Sequence, residues 1–81
     1  MRVTVLLFAA AREAVGTGTT SIDLRDGATV GDAFAQLAAS HAALAAVLPS
    51  CRAAVDESFA AQSSPLRDGC TLAVLPPVSG G

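Results

Sequence analysis

The chain has 81 residues, enough for one domain, and a domain this size buries only about 60% of the surface its unfolded chain exposes. More than half of the residues are apolar, but alanine is the largest contributor, so the core is modest and an apolar surface beside it points to a partner subunit. The net charge is −2, the five basic residues are scattered arginines, and there is no Lys, Tyr or Trp, which argues against nucleic-acid binding.

The opening "MRVTVLLFAAA" mimics a short signal peptide. It reads better as a strand, because the charged segment is a single arginine and cleavage would strip a small domain of its most strand-like segment. Residues 2–8 are rich in β-branched and apolar side chains. Val3, Val5 and Leu7 fall on one face, Leu6 and Phe8 on the other, which predicts a central strand buried on both sides. "AAAREAV" (9–15) is helix-prone and ends at Gly16. "TTSIDL" (19–24) reads as a second strand, and "RDGA" (25–28) as a turn.

"TVGDAFAQLAAS" (29–40) is the clearest helix. Thr29 can cap it, with Asp32 completing an imperfect capping box. Val30, Ala33, Phe34, Leu37 and Ala38 form one apolar stripe. A short second helix is predicted over 42–47, stopped by Pro49. "CRAAVD" (51–56) reads as a strand, and "ESFAAQ" (57–62) as a turn into a short fourth strand. A loop with a turn at Asp68-Gly69 follows, then a last strand, "TLAVL" (71–75), ended by Pro76-Pro77.

This order predicts an α+β fold of the β-grasp (ubiquitin-like) kind. A mixed sheet of four to five strands carries the main helix on one face, and the first and last strands lie side by side and parallel. Residues 1–75 form the domain and 76–81 an extended tail. No run reaches the roughly 20 apolar residues of a membrane span, so no membrane association is expected. A cytoplasmic location with both cysteines reduced is the default. Cys51 and Cys70 each open a predicted strand; if those strands are antiparallel neighbours, their starts lie at opposite ends of the sheet and a disulfide between them is excluded.

Side-chain chemistry is sparse. His41 has no convergent partners, so no metal site is expected. "GTG" (16–18) lacks the lysine and helix start of a phosphate loop. The dispersed acidic residues read as solvated surface. What remains is the ending "LPPVSGG". Pro76-Pro77 sets an extended path away from the sheet. Val78, with Ser79 after it, can lie in a partner groove. Gly80-Gly81 removes side chains beside the α-carboxylate, so the end can enter a narrow active site. The reach from Pro76 to Gly81 is roughly 20 Å. A carboxylate is a poor electrophile and needs activation, most simply as an acyl-adenylate. The chain has no nucleotide site, so activation falls to another protein.

The sequence resembles the small subunit of molybdopterin synthase, a β-grasp sulfur-carrier family, over essentially its full length. "LLFAAAREAVG" looks like the family's opening strand and Arg-Glu helix, "GATVGDAFAQLA" its turn and main helix, and "LRDGCTLAVLPPVSGG" its ending. The last stretch is the most specific, since related carriers for thiamine or cysteine synthesis also end in Gly-Gly but generally lack the Pro-Pro-Val. Two positions depart from the pattern: Asp56 where the family often has Asn in a "VN" pair, and Cys70 where an acidic residue commonly follows the Asp-Gly turn.

The resemblance implies a non-catalytic sulfur-donor subunit with no cofactor of its own. An adenylyltransferase of the ubiquitin-activating type would use ATP to convert the Gly81 carboxylate to an acyl-adenylate. A persulfide donor would then supply sulfur for a thiocarboxylate. The large synthase subunit would receive the tail, in a heterotetramer of two small and two large subunits, and build the dithiolene of molybdopterin. Gly80 and Gly81 would carry the chemistry, and Pro76, Pro77, Val78 and Ser79 would guide the tail. Leu75, Phe8 and Leu6 would form an apolar docking face, core packing being the other role open to Leu6 and Phe8. The alternatives are a carrier for thiamine, cysteine or tRNA thiolation, a ubiquitin-like modifier that joins Gly81 to target lysines, and a β-grasp interaction module whose tail does nothing.

Overall fold

In the computed structural model, described here for residues 1–77, the chain forms five strands, three helices and one 3₁₀ turn. The strands are β1 (Arg2–Leu7), β2 (Thr19–Asp23), β3 (Arg52–Val55), β4 (Ser58–Ala60) and β5 (Thr71–Leu75). The helices are α1 (Ala9–Val15), α2 (Val30–Ser40) and α3 (Ala42–Ala45). The sheet order is β2-β1-β5-β3-β4. Only β1 and β5 run parallel, with Leu6 beside Ala73 and Leu7 beside Val74; the other pairs are antiparallel. This is the β-grasp arrangement expected from the order of elements.

The core lies on one side of the sheet. Val3, Val5 and Leu7 of β1 and Leu72 and Val74 of β5 meet Val30, Ala33, Phe34 and Leu37 of α2, all buried. Leu44, Leu48 and Leu66 close its margins. The stripe read from α2 is the buried one, with Ala38 at its edge.

Local chemistry explains where α2 begins. The Thr29 hydroxyl accepts from the Asp32 N–H at 3.2 Å, and the Asp32 carboxylate accepts from the Thr29 N–H at 2.9 Å, a complete capping box. The next two helix N–H groups, of Val30 and Gly31, donate to the carbonyls of Ser64 and Gln62 at 3.0 and 2.8 Å. A Cβ at Gly31 would sit 3.3 Å from the Gln62 carbonyl oxygen, so the close approach of that loop favours glycine. Gly16 closes α1 in the left-handed region, at φ 92°.

Two expectations need correction. Pro49 does not stop the chain at a bare helix end; it sits within the 3₁₀ turn Leu48–Ser50, which extends α3 toward β3. Proline fits there because the first positions of a helical turn need no N–H donor. The second face of β1 is also not buried: Leu6 is half-buried and Phe8 is 45% exposed. The three helices all lie across the other face, so a central strand here is covered on one side only. Cys51 and Cys70 are both free thiols, on opposite ends of an antiparallel pair.

Candidate docking face and tail exit

Strand pleating puts every second residue of β1, β3 and β5 on the face that the helices leave open. There Leu6, Phe8, Ala54, Thr71, Ala73 and Leu75 line a groove of about 730 Å³, with Asp56 and Glu57 at one end. Leu6 and Ala73 are register partners, as are Ala54 and Ala73. Three adjacent strands therefore contribute one continuous apolar strip. The small side chains in its middle make the surface concave, and Leu6, Leu75 and Phe8 form its walls. Phe59, 71% exposed, lies opposite Ala54 on the edge strand and extends the strip outward. The Arg52 guanidinium stands 5.1 Å above the Phe59 ring, a cation–π contact of about 0.5–1 kcal/mol at an exposed site.

The groove leads to the tail. β5 ends at Leu75, a groove wall, and the chain passes directly into half-buried Pro76 and exposed Pro77. The structure thus brings Leu6, Phe8, Leu75 and the first two tail residues together at one end of the open face. Val78, Ser79, Gly80 and Gly81, the other residues expected to act, lie outside the described residues.

The far end of the groove is a tight hairpin. β3 and β4 are joined by Asp56 and Glu57, at φ 48° and 73°, the signature of a two-residue type I′ turn. Asp56 earns its place with both carboxylate oxygens: one accepts from the Thr71 N–H at 2.9 Å, the other from Arg67 at 3.2 Å. Its own N–H donates to the Thr71 carbonyl at 2.9 Å. This ties the hairpin to the start of β5 and sets the groove's floor. Asp68 works similarly, accepting from the Arg2 N–H at 2.7 Å. Reading the acidic residues as solvated surface missed these backbone contacts; the Asp-x and Asp-Gly turn pattern was the available signal.

Thr29's backbone N–H, the largest influence, holds the Asp32 carboxyl below its ordinary value of 3.8. Burial pushes the Cys51 thiol up, and its Sγ donates to the Val47 carbonyl at 3.3 Å, both of which favour the thiol over the thiolate. Among the described residues no group of three or more His, Cys, Asp or Glu side chains is placed to hold a metal ion. Nor is any helix there long and apolar enough to cross a membrane.

A ThiS family model matches residues 5–81. The chain belongs to the ThiS family. It is 37% identical, over the whole of both chains, to the molybdopterin synthase sulfur carrier subunit of Chlamydomonas reinhardtii. The crystal structure of SAMP1 from Haloferax volcanii superposes with a TM-score of 0.89 at 32% identity, covering all of both chains. A putative molybdopterin converting factor subunit 1 from Pyrococcus furiosus gives 0.87 at 26% identity, over 96% of this chain and 99% of that one. This ThiS family chain is therefore a homologue of a molybdopterin synthase sulfur carrier subunit, with the β-grasp fold of its solved neighbours.

Proposed function

We propose that this ThiS family protein is the sulfur-carrier subunit of a molybdopterin synthase, with Gly81 as the reactive residue. The observation that carries the reading is the continuity of the open apolar groove with β5 and Pro76-Pro77. A carrier must dock by its body while its end reacts elsewhere, and here the strand that forms the dock also launches the tail. The full-length similarity to a curated carrier subunit supports the same role.

The chemistry follows from a carboxylate that must become a sulfur donor. An adenylyltransferase joins the Gly81 carboxylate to the α-phosphate of ATP, releasing pyrophosphate. The outer sulfur of a persulfide attacks the acyl carbon and AMP leaves. Reduction of the resulting S–S bond by a thiol yields the thiocarboxylate. The large synthase subunit then takes the tail, the thiocarboxylate sulfur bonds to the pterin precursor, and water cleaves the acyl C–S bond, leaving the sulfur on the pterin and a carboxylate on Gly81. The chain contributes no catalytic side chain and binds no cofactor; it supplies the dock, the reach and an unhindered end. These steps belong to the cytoplasm, where thiols and persulfides are maintained.

The test is an intact mass after incubation with the adenylyltransferase, ATP and a sulfur donor. One oxygen should be replaced by one sulfur, and deletion of Gly81 should abolish the change. A stable amide adduct with another protein as the only product would instead favour a modifier role. The likeness to SAMP1, a name given to small archaeal modifier proteins, makes that the second reading.

A further inference from the structure

The open face carries opposite charges at its two ends. Arg52 is the register partner of Leu75, the last strand residue before the tail, and side chains so paired stand on the same face about 5 Å apart at Cβ. Glu57 lines the other end of the groove beside Thr71, and the length of β5 separates the two by about 13 Å at 3.3 Å per residue. Among the described residues, neither Arg52 nor Glu57 lies within ion-pair distance of an opposite charge, whereas Asp56 is committed to Arg67 and to the Thr71 N–H. Between the two free charges runs the apolar strip of Leu6, Ala73 and Leu75.

We infer that Arg52 and Glu57 orient the protein that receives the tail. Its docking surface is an apolar ridge with a carboxylate beside the tail entrance and a cation at the far end. The inference rests on the reading of this face as the dock for the tail acceptor, and it adds which way round that partner sits. An apolar strip alone cannot fix orientation, because hydrophobic contact is non-directional. Two opposite charges at its ends can: the reversed pose would set Arg52 against the partner's cation and Glu57 against its carboxylate. Arg52 suits the task because a guanidinium meets a carboxylate with a planar two-point fork. The Phe59 ring, 5.1 Å from the guanidinium, restrains the Arg52 side chain, so less ordering remains to be done on binding.

The experiment measures association of the full chain with the large subunit of a molybdopterin synthase by stopped flow, across a range of salt. Arg52→Glu should lower the association rate constant about tenfold at low salt and flatten its salt dependence, as expected when steering is lost. Glu57→Lys should act in the same direction. Arg52→Lys should keep the salt dependence but dissociate faster, because the charge stays and the fork is lost. Both positions are exposed, so every variant should stay folded, with Glu57→Lys melting like wild type and Arg52→Glu melting only a few degrees lower for loss of the Phe59 contact. Wild-type rates and salt slopes in both charge reversals would overturn the inference while leaving the carrier reading intact. Failure of the wild-type chain to bind the large subunit at all would overturn the occupant, and with it both readings.

Discussion

Phe8→Ala separates a docking residue from a core residue. Phe8 is 45% exposed, and a phenylalanine offers about 200 Å², so about 90 Å² remains to be covered by a partner. At about 25 cal/mol per Å² that burial is worth about 2.2 kcal/mol. Alanine would recover a little of it, leaving a loss of about 1.5–2 kcal/mol, or about 10–30-fold in Kd. Because Phe8 stands outside the buried cluster, the variant should unfold within about 1 kcal/mol of wild type. Isothermal titration against the large synthase subunit, paired with urea denaturation, reads both quantities. A Kd within about threefold of wild type would refute the docking assignment. So would a loss of fold stability as large as that of a true core truncation, because it would return Phe8 to the core.

Leu37→Ala provides that reference: Leu37 is 1% exposed, and its truncation should cost about 2–5 kcal/mol and lower Tm by about 10 °C or more. Equal stability would mean that α2 is not held by this face. Glu57→Gly should stabilise the fold by about 0.5–1 kcal/mol in urea melts with unchanged slope, because glycine relieves the φ 73° position of the hairpin; a loss would show that the turn is not strained there. Asp32 has a lowered folded-state pKa, so its contribution is full above the unfolded value and is lost as pH falls through the folded one. Asp32→Asn should therefore flatten the decline of the urea midpoint in the range below 3.8; parallel curves for the two proteins would contradict the capping assignment.

The fold was legible in the sequence because its local signals agree. Thr29 and Asp32 mark one helix start, Gly16 a helix stop, and the apolar periods switch cleanly between strand and helix. What the sequence concealed was the state of the second sheet face. The strand period left Leu6 and Phe8 open to either core packing or docking, because it tells which side chains share a face, not whether anything covers it. The same blindness hid Phe59 and Arg52, whose pairing across the edge strand depends on register. Asp56 looked like surface since its role is to hold the backbone of a strand 15 residues away. The groove, by contrast, could be anticipated at its tail end, where Leu75 is followed at once by Pro76-Pro77.

Under the proposed function the tail carries sulfur to the pterin precursor. The direct measurement is a single turnover with the thiocarboxylated chain, the large subunit and the precursor, in which the sulfur is isotopically labelled. Label should appear in the dithiolene while the chain's intact mass returns to that of the carboxylate. Label retained on the chain, or found on an acceptor other than the pterin, would contradict it.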